Sequence, residues 1–214
     1  IWVVRLGDPT MTRLPNMDRV IDYPFSSYKS DLMDIWLIKN CDLYIGTDSG
    51  PVFVAILFHK PIVLTNIVDF CFGYPTRIHD IGILKHAFST KKDEYLPAKE
   101  IIDRSLRDYN DWVNDADISF VENTENEILS IVCESVESGF SSNPGGHSRL
   151  QDIVLERRRA LSEDVNWIKK CNELERGRLL AVFHSQSGAL SENYLQNNFF
   201  VDSLNGVTSG AVEK

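Results

Sequence analysis

The segment Thr47-Asp48-Ser49-Gly50-Pro51 is where chemistry is most legible in this chain: small polar residues turn between an apolar strand and an apolar helix. A helix opens with unpaired backbone N–H groups that carry partial positive charge, so such a turn suits an anion. The Thr47 and Ser49 hydroxyls add donors, and Gly50 lets a phosphate come close to the backbone. The Asp48 carboxylate repels a diphosphate unless it faces elsewhere, which makes a ribose or sugar hydroxyl its better target. The same residues also fit a plain helix cap, and the pattern by itself leaves both readings open.

Other chemistries match less well. Ser49 directly precedes Gly50, whereas the hydrolase nucleophile elbow separates its Ser from a Gly on each side by one residue. No Gly-rich Walker loop and no Gly-x-Gly-x-x-Gly run occurs, which disfavours ATPase and NAD-dependent readings. Cys41, Cys71, Cys133 and Cys171 lie far apart, and His59, His79, His86, His147 and His184 are equally scattered, so no structural metal site is expected. Asp31 and Asp34 share the first turn of one helix and read as cap and dipole residues rather than catalytic acids.

The elements that must hold the turn alternate along the chain. Trp2 to Leu6 and Arg19 to Asp22 read as strands, stopped by Gly7-Asp8-Pro9 and Tyr23-Pro24. Ser30 caps a helix that ends near Asn40. Leu43 to Gly46 is a third strand, Val52 to Phe58 is a helix with Pro51 suited to its first position, and Ile62 to Thr65 is an unbroken apolar strand of the kind a parallel sheet buries on both faces. Ile81 to Lys85 is an apolar run of unassigned structure. A helix from about Pro97 to Tyr109, a strand from Ile118 to Val121 and a helix capped by Asn123 or Thr124 and running to Glu137 complete the pattern. This alternation predicts an α/β fold over residues 1–137, a Rossmann-like parallel sheet with helices on both faces. Residues 138–148, rich in Ser, Gly and Pro, read as a linker, and 149–214 as a helical extension, helical from Arg149 to about Cys171 and frayed from Val207 onward.

A chain of 214 residues, 43% of them apolar, can bury a substantial core. Its 22 Lys and Arg against 31 Asp and Glu give a formal charge of -9, which opposes nonspecific attraction to nucleic acid or an anionic bilayer. No stretch approaches the roughly 20 apolar residues that span a bilayer, and the opening residues lack the layout of a signal peptide, so a cytoplasmic protein is expected. The chain opens on a strand without a Met, from which an N-terminal domain upstream of Ile1 is expected to complete the site.

In order along the chain, Val3-Val4-Arg5-Leu6-Gly7-Asp8, Ile21-Asp22-Tyr23, Lys29-Ser30-Asp31-Leu32-Met33-Asp34 and Thr47-Asp48-Ser49-Gly50 resemble the succession of motifs in a bacterial family of GT-B-like glycosyltransferases, in their C-terminal, nucleotide-sugar-binding half. Pro61 to Asn66, Ile83-Leu84-Lys85 and Glu122-Asn123-Thr124 extend the likeness over roughly residues 1 to 137. The order of the motifs is what makes it specific. Heptosyltransferases are similar at the turn but carry a His on the following helix, where this chain has Pro51-Val52-Phe53-Val54, and the corresponding turn of fucosyltransferases lacks the Asp. The resemblance implies one half of a GT-B fold in which Thr47, Ser49 and Gly50 bind the donor diphosphate and Asp48 or Asp34 lies nearer a ribose or base. It also places Gly7 and Asp8 at the donor site. Arg5 is implied to neutralise phosphate across the cleft, stabilising the leaving nucleoside diphosphate without a metal. Pairing of Arg5 with Asp8 or Asp22 is the alternative. Asn66 and Lys85 fall on the same ligand edge, Lys85 as a second cation, and the general base is expected from the other domain.

On this reading the chain is the donor-binding portion of an inverting, metal-independent glycosyltransferase, carrying a sugar from a nucleotide sugar to a glycan or lipid-linked acceptor with no separate cofactor. The rival readings are a noncatalytic scaffold that docks another protein through the Arg157-Arg158-Arg159 helix, and a nucleotide-sugar epimerase.

Overall fold

Apolar strands without alternation must be covered on both faces, and they form the centre of the molecule. A computed structural model of the chain describes residues 1–69, 75–107, 109–140, 148–162, 169–185 and 187–198. Its main sheet has four parallel strands in the order β3 (Tyr44–Gly46), β4 (Ile62–Ile67), β5 (Asp80–Leu84) and β9 (Ala189–Leu190). Helix α2 (Gly50–Leu57) rests on β3 and β4, and α5 (Glu125–Glu137) rests on β4 and β5. The fold is thus mixed α/β with a parallel sheet flanked by helices, as the alternation predicts.

Two smaller sheets accompany it. β1 (Val3–Arg5) and β2 (Val20–Asp22) form a parallel pair of their own, followed by α1 (Asp31–Asn40), which packs on α2. β6 (His86–Ser89) pairs antiparallel with both β7 (Glu94–Tyr95) and β8 (Ile118–Val121). Ile118 to Val121 is therefore a strand, as expected, but it belongs to an antiparallel layer and does not extend the parallel sheet. Helices α3 (Ala98–Arg107) and α4 (Tyr109–Val113) bridge β7 to β8.

Within the run Ile81 to Lys85, unassigned from sequence, Ile81 to Leu84 belong to β5, whose five residues are all buried. Asp80 at its head is 2% exposed and fully partnered there: the Arg77 guanidinium donates to it at 2.7 and 3.0 Å and the Arg77 amide at 3.0 Å. The same guanidinium donates to the carbonyls of Ile56 and Lys60, so one ion pair fastens the end of α2 to the start of β5. Gly82 allows Ile67 and Pro75 to close over the strand, since a Cβ there would lie 2.5 Å from Ile67 and 2.9 Å from Pro75. Burial of each Ile or Leu in this layer contributes about 1.5–3 kcal/mol. Truncation of the wholly buried Ile83 to Ala removes about 2–5 kcal/mol, through lost burial and the cavity left behind.

Residues 138–140 form the turn that ends α5, with Gly139 and Phe140 at positive φ, while 141–147 of the expected linker fall outside the described residues. Beyond it, the helix predicted from Arg149 runs as α6 (Arg149–Ser162), and a second, α7 (Glu173–Ser185), follows. The expected frayed tail from Val207 lies outside the described residues. The segment expected as a helical extension also supplies β9, which completes the parallel sheet beside β5, and α8 (Glu192–Asn197). Val154, Leu155, Leu190, Tyr194 and Leu195 join Ile62, Val63, Ile81 and Ile83 in one apolar core. The sequence missed β9 because two residues carry no periodicity.

Candidate functional site

The register aligns Gly46 with Leu64, Leu64 with Gly82 and Gly82 with Leu190. The residues that follow each strand therefore share one border: Thr47 to Gly50 after β3, Asn66 and Ile67 at the end of β4, Lys85 after β5 and Ser191 after β9. Open parallel sheets take ligands at this carboxyl edge.

At the Thr47 to Gly50 turn, Ser49 is extended at φ -151° and stands at the N-cap of α2, yet its hydroxyl makes no capping bond. It donates instead to the Thr47 carbonyl at 3.3 Å. Gly50 rather than Pro51 is the first helical residue, and Pro51, lacking an N–H, falls among positions whose amides have no intrahelical partner anyway. A Cβ on Gly50 would meet nothing within 4 Å, so space is open above the helix start. Burial, and then the neighbouring carboxylate of Asp69, push the Asp48 carboxyl above its ordinary value. The Asp48 side chain can hydrogen-bond a hydroxyl, whereas its charge together with that of Asp69 repels phosphate.

The other residues singled out from the sequence have partners within the chain. Arg5 donates to Asp22 at 2.7 Å and to the Thr12 carbonyl at 2.9 Å, which is the Asp22 pairing set against the phosphate role above. Asp22 also accepts from the Leu14 amide at 2.9 Å. Lys85 donates to Glu122 at 2.7 Å. Asn66 sits at φ 56° where β4 shifts register, and it exchanges bonds with Asn123: the Asn66 amide donates to the Asn123 side-chain oxygen at 2.6 Å, and the Asn123 amide to that of Asn66 at 2.7 Å.

Gly7, Asp8 and Asp34 gather near Lys29. Gly7 takes φ 147°, and a Cβ there would strike the Met11 sulfur. Hydrogen bonds from the Thr10 hydroxyl and amide hold the Asp8 carboxyl below its ordinary value. Lys29 bonds the Asp34 carboxylate, a contact that raises the ammonium, and lies over the Tyr23 ring. Ser30 caps α1 by accepting from the Met33 amide at 3.2 Å, as expected. Among the described residues no hydrogen bond or ion pair joins this group to the Thr47 to Gly50 turn, although α1, which carries Asp34, packs on α2.

Three features of the edge escaped the sequence reading. Asp69 faces Asp48 from the end of β4, across a separation no local pattern encodes. Thr124, one of the two caps expected for α5, does cap it; what escaped is the reciprocal bond from Glu127 that makes a capping box, a signal present in Thr-x-x-Glu spacing. Glu127 further accepts from His86 at 2.9 Å; burial works to raise this carboxyl, but the bonds from His86 and Thr124 outweigh it and hold it low.

Among the described residues no group of three His, Cys, Asp or Glu side chains is disposed to hold a metal ion, and no helix is long and apolar enough to cross a membrane. No family model, no curated protein and no solved structure matches the chain.

Proposed function

We propose that this chain is the nucleotide-sugar-binding portion of a cytoplasmic glycosyltransferase, one half of a GT-B fold. The observation that carries the reading is the open start of α2 at the carboxyl edge of a parallel sheet, with a Ser49 hydroxyl not used for capping and clear space over Gly50. The donor diphosphate lies against the Gly50 amide and the Thr47 and Ser49 hydroxyls, and Asp48 takes a ribose hydroxyl. An acceptor hydroxyl of a glycan or lipid-linked sugar attacks the anomeric carbon as its bond to the phosphate oxygen breaks. The electron pair leaves on the nucleoside diphosphate, and the hydroxyl proton passes to a base from a second domain. A noncatalytic binding module is the second reading, favoured by one observation: Arg5 and Lys85, the cations expected to meet the donor, are already paired with Asp22 and Glu122.

Calorimetric titration of the chain with UDP-, GDP-, ADP- and CMP-linked sugars tests the proposal. Saturable binding of one nucleotide class, weakened in Ser49→Ala and unchanged in Ser30→Ala, is the expected result. Binding that Ser49→Ala leaves intact removes the turn from the site, and silence toward all four classes supports the noncatalytic module.

A further inference from the structure

The carboxyl edge carries a concavity beside Ser191, away from the Thr47 to Gly50 turn. Between the first turns of α5 and the short helix α8 lies a cavity of about 180 Å³, walled by Asn126, Glu127, Ser130, Asn193, Tyr194 and Asn197 among others, with no Lys, Arg or His in its lining. Tyr194 is 4% exposed, yet only its backbone enters hydrogen bonds; its hydroxyl has no partner among the described residues. Both Glu127 oxygens are held by His86 and Thr124, so that carboxylate is committed before any ligand arrives.

This wall is selective by its chemistry. Asn193 and Ser130 are joined by a bond of 3.3 Å, while the Asn126 and Asn197 amides each keep both donor and acceptor, which matches the mixed character of adjacent sugar hydroxyls. A phosphate or carboxylate finds no cation and meets the Glu127 charge. The volume falls below the roughly 300 Å³ at which pockets for drug-sized ligands begin, which limits the occupant to a single ring.

From this geometry we infer that the cavity between α5 and α8 binds a neutral polyhydroxylated six-membered ring, either a single sugar residue or a cyclitol. The inference does not rest on the nucleotide-sugar reading, and its test contains no nucleotide. Saturation-transfer NMR and calorimetry on the full chain use glucose, galactose, N-acetylglucosamine and myo-inositol as probes, with glucuronate and glucose 6-phosphate as charged counterparts. Saturable binding of a neutral probe is expected, weakened about three- to tenfold by Tyr194→Phe, the loss of one hydrogen bond. Saturation by the pyranoses alone assigns a sugar, and saturation by inositol alone a cyclitol. Asn197→Ala, at an exposed position, carries the same expectation should Tyr194→Phe fail to fold, as far-UV circular dichroism will show. No saturation by any neutral probe up to about 50 mM, far beyond the millimolar affinity a few hydrogen bonds provide, overturns the inference. So does tighter binding of the charged counterparts, or binding that both variants leave unchanged.

Discussion

Replacing Asn123 by Ala should uncouple the carboxyl edge from the helix behind it. The side chain is 6% exposed; its oxygen accepts from the Asn66 amide at 2.6 Å and its nitrogen donates to the Leu84 carbonyl at 2.8 Å. Alanine leaves that amide and that carbonyl without partners, the second on a residue with no exposure at all. An orphaned buried polar group costs about 1–3 kcal/mol, and Asn66 is only partly covered, so the two together come to about 2–4 kcal/mol. Urea unfolding followed by tryptophan fluorescence should show a lowered midpoint at unchanged slope. In a chain of this size the melting temperature should drop by about 5–15 °C. Asn123→Asp sharpens the test: it keeps the acceptor toward Asn66 but sets an anion against the Leu84 carbonyl, so it should be destabilised at pH 7 and recover as acid restores a donor. A loss below about 1 kcal/mol in Asn123→Ala, or an Asn123→Asp protein as stable as the parent at pH 7, refutes the reasoning.

Capping separates three hydroxyls that look alike in sequence: Ser30→Ala and Thr124→Ala should each lose about 1 kcal/mol, and Ser49→Ala less than about 0.5, since Ser49 makes no capping bond. Equal losses at all three sites, read from denaturant midpoints, contradict this. Because the Glu127 carboxyl is depressed in the folded chain, its stabilisation is full above about pH 4.5 and fades as pH falls through the folded-state value. Glu127→Gln should therefore weaken the protein at pH 7 and flatten the acid limb of its stability profile; an unchanged acid limb speaks against the His86 bond. Asp48 is shifted the opposite way, so its ionisation penalises the fold as pH rises through the raised value and not below about pH 3.8. Asp48→Asn should raise the melting temperature at pH 7 and leave it unaltered at pH 3, and a loss at pH 7 reverses the assignment.

What could be read in advance follows the range of the forces involved. β4 was visible because Ile62-Val63-Leu64 needs no partner to declare itself buried, and α1 because Ser30 and its following acids act within one turn. β5 was obscured by Asp80 and Gly82, a charge and a gap in an apolar run, whose burial depends on Arg77, Ile67 and Pro75. The position of the Thr47 to Gly50 turn at a strand-to-helix junction was legible, but the direction of the Ser49 hydroxyl was not. Arg5, Asn66 and Lys85 were identified by type and place, while their partners Asp22, Asn123 and Glu122 come from distant segments. The cavity at Tyr194 joins α5 to residues beyond 190, so no local pattern announces it.

The pairing of β5 with β9 has a consequence for how the chain is made. Ile81 waits for Ala189, far along the sequence, so a nascent chain that has emerged through α5 already holds β3, β4 and β5 with one edge of buried β5 unpaired. An open edge of that kind recruits strands from other molecules. Ser187 donating to the Thr76 carbonyl, and Gly188 lying so close to Pro75 that no side chain fits between them, make the late segment a clasp that shuts this edge. Synthesis that stalls between α7 and β9 would leave the edge of β5 open to strands of other molecules, an edge that pairing with β9 closes.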